Sequence, residues 1–157
     1  MNISELQNEV IYWEDLNPGT VYSSPTRTIT ESDVAQFGAL TGDLNRLHVD
    51  KEYAKTTIHG QRIAHGMLVA SYAAGLSTRM LLNQFMEPSL LGLLNMEVRF
   101  PKATYINDTI QLFVEVKEKR ETSKPERGIV TFHRWVENQK GETMLDGEWK
   151  LLIKRRP

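Results

Sequence analysis

Asp43 and His48 stand five residues apart in the stretch GDLNRLHVD, Gly42 to Asp50, beside Asn45 and Arg46. A carboxylate and an imidazole suit proton transfer near neutral pH, because histidine titrates there and a neighbouring carboxylate orients it. On a regular helix this spacing turns through about 500°, so the two side chains diverge by roughly 140°. On a strand an odd spacing sends them to opposite faces. They meet only across irregular backbone. Gly42, Asp43 and Asn45 are turn formers, so chemistry here belongs to a shaped loop. The competing reading is a turn aspartate and a half-buried histidine making structural hydrogen bonds.

His65-Gly66 opens an apolar segment of helical character. The first N–H groups of a helix lack internal partners and sit at the positive end of its dipole. With no Cβ at Gly66, a ligand oxygen can approach them, as in an oxyanion hole; the alternative is a glycine needed only for packing. A metal site on His48, Asp50, His59 and His65 fits no established ligand spacing such as HExxH, so no metal is expected. Ser71 and Ser77 lack a G-x-S-x-G context. Neither a P-loop nor G-x-G-x-x-G is present.

The elements that must position these residues read as follows. Asn17-Pro18-Gly19 is a turn, and Thr20 to Ile29 suits a strand. Thr30-Glu31-Ser32-Asp33 resembles a capping box, with Val34, Phe37 and Ala39-Leu40 at helical spacing until Gly42. Asp50 can cap a short helix through Lys55. From about Ala64 to Leu82 almost no polar face remains, which predicts one long helix buried on several sides. Leu91 to Phe100, Thr109 to Arg120, Gly128 to Glu137 and Thr143 to Ile153 are strand-like. Asn107-Asp108 and Asn138 to Gly141 read as hairpin turns, and Ser123 to Arg127 as a longer loop. One buried helix and about five long antiparallel strands make an α+β layout, a sheet wrapped on a helix. Such a sheet leaves an edge that a second copy can pair with.

The 157 residues, 40% hydrophobic and 25% charged, fit one globular domain, 1–157. A net charge of −1 gives no general attraction to nucleic acid or to an anionic membrane. Cysteine is absent, which excludes disulfides, thiol nucleophiles and Cys-ligated zinc. The start, Met1 to Asp15, does not read as a signal peptide, and Ile63 to Leu82 is too interrupted to span a membrane. A cytoplasmic location is expected.

The stretch FGALTGDLNRLHVDKEYAKTTIHGQRIAHGMLVASYAAGL, Phe37 to Leu76, resembles the MaoC-like family of (R)-specific enoyl-CoA hydratases. The family carries an aromatic, then Gly-Asp-x-Asn-Pro-(apolar)-His, and later Ile-x-His-Gly-Met. Here these are Phe37, Gly42-Asp43, Asn45, Leu47-His48 and Ile63 to Met67. VRFPKATYINDTI, Val98 to Ile110, and YWEDLNPGTVY near the start are also similar. The resemblance implies a hot-dog fold, a long helix wrapped by an antiparallel sheet. It implies that Asp43 and His48 hold one water and add it across the C2=C3 bond of a trans-2-enoyl thioester, or remove it from the (R)-3-hydroxy form. One of the pair takes a proton from water and the other protonates C2. The Gly66 N–H would hold the thioester oxygen and Asn45 would brace the loop; Asn45, Arg46 and His65 are the candidate substrate-binding residues. The acyl group would be carried by coenzyme A, which is part of the substrate and no cofactor, or by an acyl carrier protein. Hot-dog relatives pair as homodimers or multiples of dimers.

Three positions depart from the family: Arg46 replaces proline, Asn107 replaces a glycine, and Ala74 stands where some members have serine. Arg46 either pairs with Asp43 or Asp50, or points to the pocket mouth to hold a substrate carboxylate or a coenzyme A phosphate. The rival functions are a hot-dog acyl-CoA thioesterase and a non-catalytic acyl-thioester-binding subunit.

Overall fold

Strict alternation in the second half of the chain becomes one face of a sheet. In the computed structural model, which describes residues 2–157, Ile110, Leu112, Val114 and Val116 are all at most 1% exposed, while Gln111, Phe113, Glu115 and Lys117 face outward. Five strands form the sheet: β1 (Val21–Thr28), β2 (Leu90–Arg99), β3 (Thr109–Glu121), β4 (Arg127–Glu137) and β5 (Thr143–Lys154). Their order is β1-β3-β4-β5-β2, and every neighbouring pair is antiparallel. The edges are therefore β1 and β2. Gly147 lets β2 close on β5, since a Cβ there would lie 1.9 Å from the backbone oxygen of Glu97.

Among the described residues there are also six helices, α1 (Ile3–Leu6), α2 (Glu31–Thr41), α3 (Arg46–Val49), α4 (Lys51–Lys55), α5 (Gly66–Thr78) and α6 (Leu81–Met86), with a 3₁₀ turn at Trp13–Asp15. The capping box expected at the start of α2 is formed: Asp33 N–H donates to Thr30 Oγ1 at 3.1 Å and Thr30 N–H to Asp33 Oδ2 at 2.8 Å. Helix α5 lies in the concave face of the sheet. It buries Leu68, Val69, Ala70, Ala73 and Leu76 against a core that includes Leu112, Val114, Phe132 and Leu151. Its opposite stripe, Met67, Ser71, Gly75 and Thr78, is exposed in the single chain.

Two expectations change. The helix predicted from Ala64 to Leu82 is two helices. Ser77 and Thr78 turn their hydroxyls back onto the carbonyls of Ala74 and Gly75, each at 2.7 Å, a habit that bends helix ends. Met80 is then extended and α6 starts afresh. Asn107-Asp108 is a turn but not a hairpin, because β2 pairs with β5 rather than with β3. Asn107 has φ of 77°, the left-handed geometry that asparagine tolerates. The turn is tied instead to Ile29 by two backbone bonds, of 2.7 and 2.8 Å.

Candidate active site

Helix α2 ends on Gly42 at φ of 79°, a left-handed cap that redirects the chain outward. The next residues are held locally. Asp43 N–H reaches Thr41 Oγ1 at 3.3 Å, and Asn45 caps α3 by accepting from Leu47 N–H at 3.0 Å. His48 thus sits on a single helical turn, while Asp43 lies in the irregular link before it. Asp50 closes α3 and caps α4 through Tyr53 N–H at 2.9 Å.

An extended segment just before α5 receives both halves of this loop. It is itself pinned by an Ile63–Tyr105 bridge and by Ala64 N–H on the Thr104 carbonyl at 2.8 Å. His48 Nδ1 is 2.8 Å from the carbonyl oxygen of Ile63. A carbonyl only accepts, so Nδ1 carries the hydrogen, and the neutral ring keeps its lone pair on Nε2. Two residues on, His65 Nε2 donates to the backbone oxygen of Asp43 at 2.9 Å. The two imidazoles stack with centroids 3.8 Å apart, and the Phe37 ring tilts against His65 at 5.0 Å.

A ring nitrogen of His48, one of His65 and a carboxylate oxygen of Asp43 consequently lie within 4.8 Å of one another. One water can bridge two groups up to about 5.6 Å apart with hydrogen bonds of about 2.8 Å each. Asp43 is exposed and His48 half-buried, so the pair stands where a bound molecule can reach it.

Among the described residues these are the three that a metal ion could draw on; Asp50 and His59 are not gathered with them. The stacked rings, 28° from parallel, direct their lone pairs in nearly parallel planes. A shared ion needs both in-plane directions to meet at about 2 Å. The donor geometry suits proton transfer better than chelation.

Gly66 is the first residue of α5, and its N–H has no acceptor within the helix. The Phe100 ring covers it: a Cβ at Gly66 would meet ring atoms at 3.1 Å. Gly66, Phe100, Ile63, Val69 and Met144 line a cavity of about 180 Å³.

Of the two readings of Arg46, the pair with Asp50 is the one formed. Arg46 directs Nε and Nη2 to Asp50 Oδ2 at 3.0 and 2.9 Å and lies over the Tyr53 ring. The Tyr53 N–H and Arg46 together hold the Asp50 carboxyl below its ordinary value. His65 is 2% exposed, beneath the loop rather than facing a ligand. Its Nδ1 has no hydrogen-bond partner among the described residues. The Ile63 carbonyl and the Phe100 ring were not foreseen; a backbone acceptor leaves no mark on residue type.

Residues 15–137 match the family model of the MaoC like domain. The (R)-specific enoyl-CoA hydratase of Rhodospirillum rubrum is 34% identical over 146 residues, 92% of this chain and 93% of that protein. Protein MaoC of Klebsiella aerogenes is 32% identical over 90% of this chain, which spans only 38% of that longer protein. Among solved structures, the monoamine oxidase regulatory protein from Archaeoglobus superposes with a TM-score of 0.91 at 37% identity, covering 96% of this chain and 99% of that one. With its sheet wrapped on α5 and its loop in register with the motif, the chain belongs to the MaoC-like dehydratase family, hydro-lyases of hot-dog fold.

Proposed function

We propose that this protein hydrates trans-2-enoyl thioesters to (R)-3-hydroxyacyl thioesters, or runs the reverse dehydration, with a water held between Asp43 and His48. The observation that carries the reading is the pinning of His48 Nδ1–H on the Ile63 carbonyl, with a ring nitrogen of that histidine within 4.8 Å of the Asp43 carboxylate. The thioester oxygen accepts from the Gly66 N–H at the positive end of α5, which stabilises enolate character as it develops. The water oxygen bonds to C3, and the C2=C3 electron pair moves toward the carbonyl. One member of the pair takes the water's proton and the other delivers a proton to C2, so the sum is one water added. Coenzyme A carries the acyl group in the relatives' substrates, and an acyl carrier protein presents the same thioester.

Asp43→Asn and His48→Gln should each slow hydration of crotonyl-CoA by about 10²-fold or more, the scale of general acid–base assistance. The assay follows loss of the conjugated enoyl absorbance alongside free thiol. Full activity in either folded variant overturns the mechanism. Thiol release without loss of the double bond indicates a thioesterase, and binding without turnover a non-catalytic subunit.

We also infer a homodimer, or a multiple of one. The edge strand β2 leaves Leu91, Leu93, Leu94 and Met96 between 37% and 53% exposed, and an apolar, unpaired edge invites a second strand. Sedimentation should give twice the 18.0 kDa chain mass; a monomer at all concentrations counts against it.

A further inference from the structure

Phe100 is a large apolar residue left 43% exposed beside the candidate site. Strand β2 ends at Arg99, and Pro101 follows Phe100; a residue before proline is held to extended backbone. From there the ring reaches the first turn of α5. Three of its carbons lie 3.1–3.2 Å from the place a Cβ of Gly66 would take. Ring and glycine are two walls of the cavity of about 180 Å³. Its floor is Val69 and Met144, each 1% exposed. At its rim stands Lys102, whose side chain is 57% exposed. The Ile63–Tyr105 bridge and the 2.8 Å bond from Ala64 N–H to the Thr104 carbonyl lock the segment before α5 to the segment after β2. The cavity is therefore built before a ligand arrives.

Neither Asp43 nor His48 lines this cavity, which decides the part of a thioester that can enter it. The carbonyl carbon carries C2 and sulfur on either side of its oxygen. With the oxygen on the Gly66 N–H, C2 and C3 turn toward the water between Asp43 and His48. The sulfur is then directed the other way, to the side of Gly66 that Phe100 covers. That direction rests on the hydration proposed above. We propose that Phe100 is a specificity-determining residue that reads the carrier arm of the substrate. The arm is the cysteamine segment, a sulfur, two methylenes and an amide, which coenzyme A and acyl carrier protein thioesters share. Sulfur beside an aromatic ring and methylenes on an apolar wall are both favourable contacts, and the amide emerges at the rim. Lys102 is already paired there with Glu142 at 2.8 Å. The cavity thus recognises the arm and leaves the remainder of the carrier unread.

Two unreactive thioesters separate arm from acyl group: S-butyryl-N-acetylcysteamine carries the arm, and S-methyl thiobutyrate lacks it. At matched concentrations the first should raise the Tm of the parent protein saturably and the second should not. Phe100→Ala should bind the first about tenfold more weakly, the worth of two methylenes on an apolar wall. Phe100→Leu keeps that wall and should keep most of the binding. In turnover, Phe100→Ala should raise KM about tenfold for crotonyl-CoA and crotonyl-N-acetylcysteamine alike, with kcat little changed. It should leave the S-methyl crotonyl thioester as it was, and leave the preference between hexenoyl and crotonyl groups on one arm unmoved. A shifted hexenoyl preference with an unchanged arm preference puts the acyl chain in the cavity and overturns the proposal. So does an equal loss for armed and S-methyl substrates, which makes Phe100 a support of the carbonyl site or of the fold. Should Phe100→Ala fail to fold, the contrast between the two butyryl thioesters on the parent protein decides alone. Hydration of crotonyl-CoA with no preference for the armed butyryl thioester keeps the hydratase reading and removes this one. Armed binding that Phe100→Ala weakens, without hydration, does the reverse.

Discussion

Replacing His65 with phenylalanine separates holding the loop from holding the fold. The imidazole is 2% exposed and packed between the His48 and Phe37 rings, at 3.8 and 5.0 Å; a phenyl ring keeps both contacts. Two polar contributions change with opposite sign. The Nε2–H bond to the Asp43 carbonyl, 2.9 Å long, is lost, and such a bond contributes about 0.5–1.5 kcal/mol. Against that loss, the buried and unpartnered Nδ1 disappears, relieving a cost of about 1–3 kcal/mol. The relief outweighs or nearly offsets the loss, leaving a net between about 0.5 kcal/mol destabilising and about 2.5 kcal/mol stabilising. At about 2–4 °C per kcal/mol for a chain of this size, the Tm of His65→Phe should fall by no more than about 2 °C and can rise by up to about 10 °C. The reaction should not be so tolerant. Freed from His65, Asp43 drifts from the proposed water site, and a misplacement of about 1 Å costs on the order of 10²-fold. The expected result is a kcat for crotonyl-CoA hydration lower by about 10²-fold with KM little changed, measured by enoyl absorbance beside a melting curve. Full kcat in stable His65→Phe refutes the brace. A collapsed Tm refutes the offset, since Nδ1 would then be satisfied.

Arg46→Ala should lower kcat/KM for carboxylated and uncarboxylated enoyl-CoA alike, if at all, because the guanidinium is engaged by Asp50 and Tyr53; a loss confined to the carboxylated substrate, by kinetics on both, contradicts this. Acid stability should follow Asp33. Burial alone would raise its carboxyl, but hydrogen bonds from Tyr72, Thr30 and Arg27 outweigh that and hold it below the ordinary 3.8. A depressed carboxyl contributes stability above its unfolded value, and that contribution is lost as the pH falls from 3.8 through the lower folded value. Tyr72 is pushed up to about 12 by burial and by Asp33, so its contribution is full below 10.0 and lost as the pH rises through 12. Asp33→Asn should flatten the acid limb of a Tm–pH curve; parallel limbs for parent and variant rule the linkage out.

Strands β3, β4 and β5 were legible because one face of each is buried: Ile110 to Val116 alternate in the sequence as they do in the sheet. The end of α5 was not. The apolar letters run on through Leu81 and Leu82, and the break comes from hydroxyls folding back on carbonyls, a competition that residue hydrophobicity does not report. Pairing was harder still, since β2 finds β5 across the chain while Asn107-Asp108 has the composition of a hairpin. At the candidate site, residue type and irregular spacing pointed to Asp43 and His48. What orients them is the backbone oxygen of Ile63 for one and a bond from His65 to backbone for the other, so the positioning was invisible while the chemistry was not. Arg134 is the instructive case. It has the parity of Val130, Phe132 and Val136, so the period-2 pattern of that strand already puts a cation on the inner face. A cation at an inward position breaks the alternation that holds at Val130, Phe132 and Val136, and the strand tolerates it because Gly147 across the ladder leaves room and the Trp149 ring takes the guanidinium face.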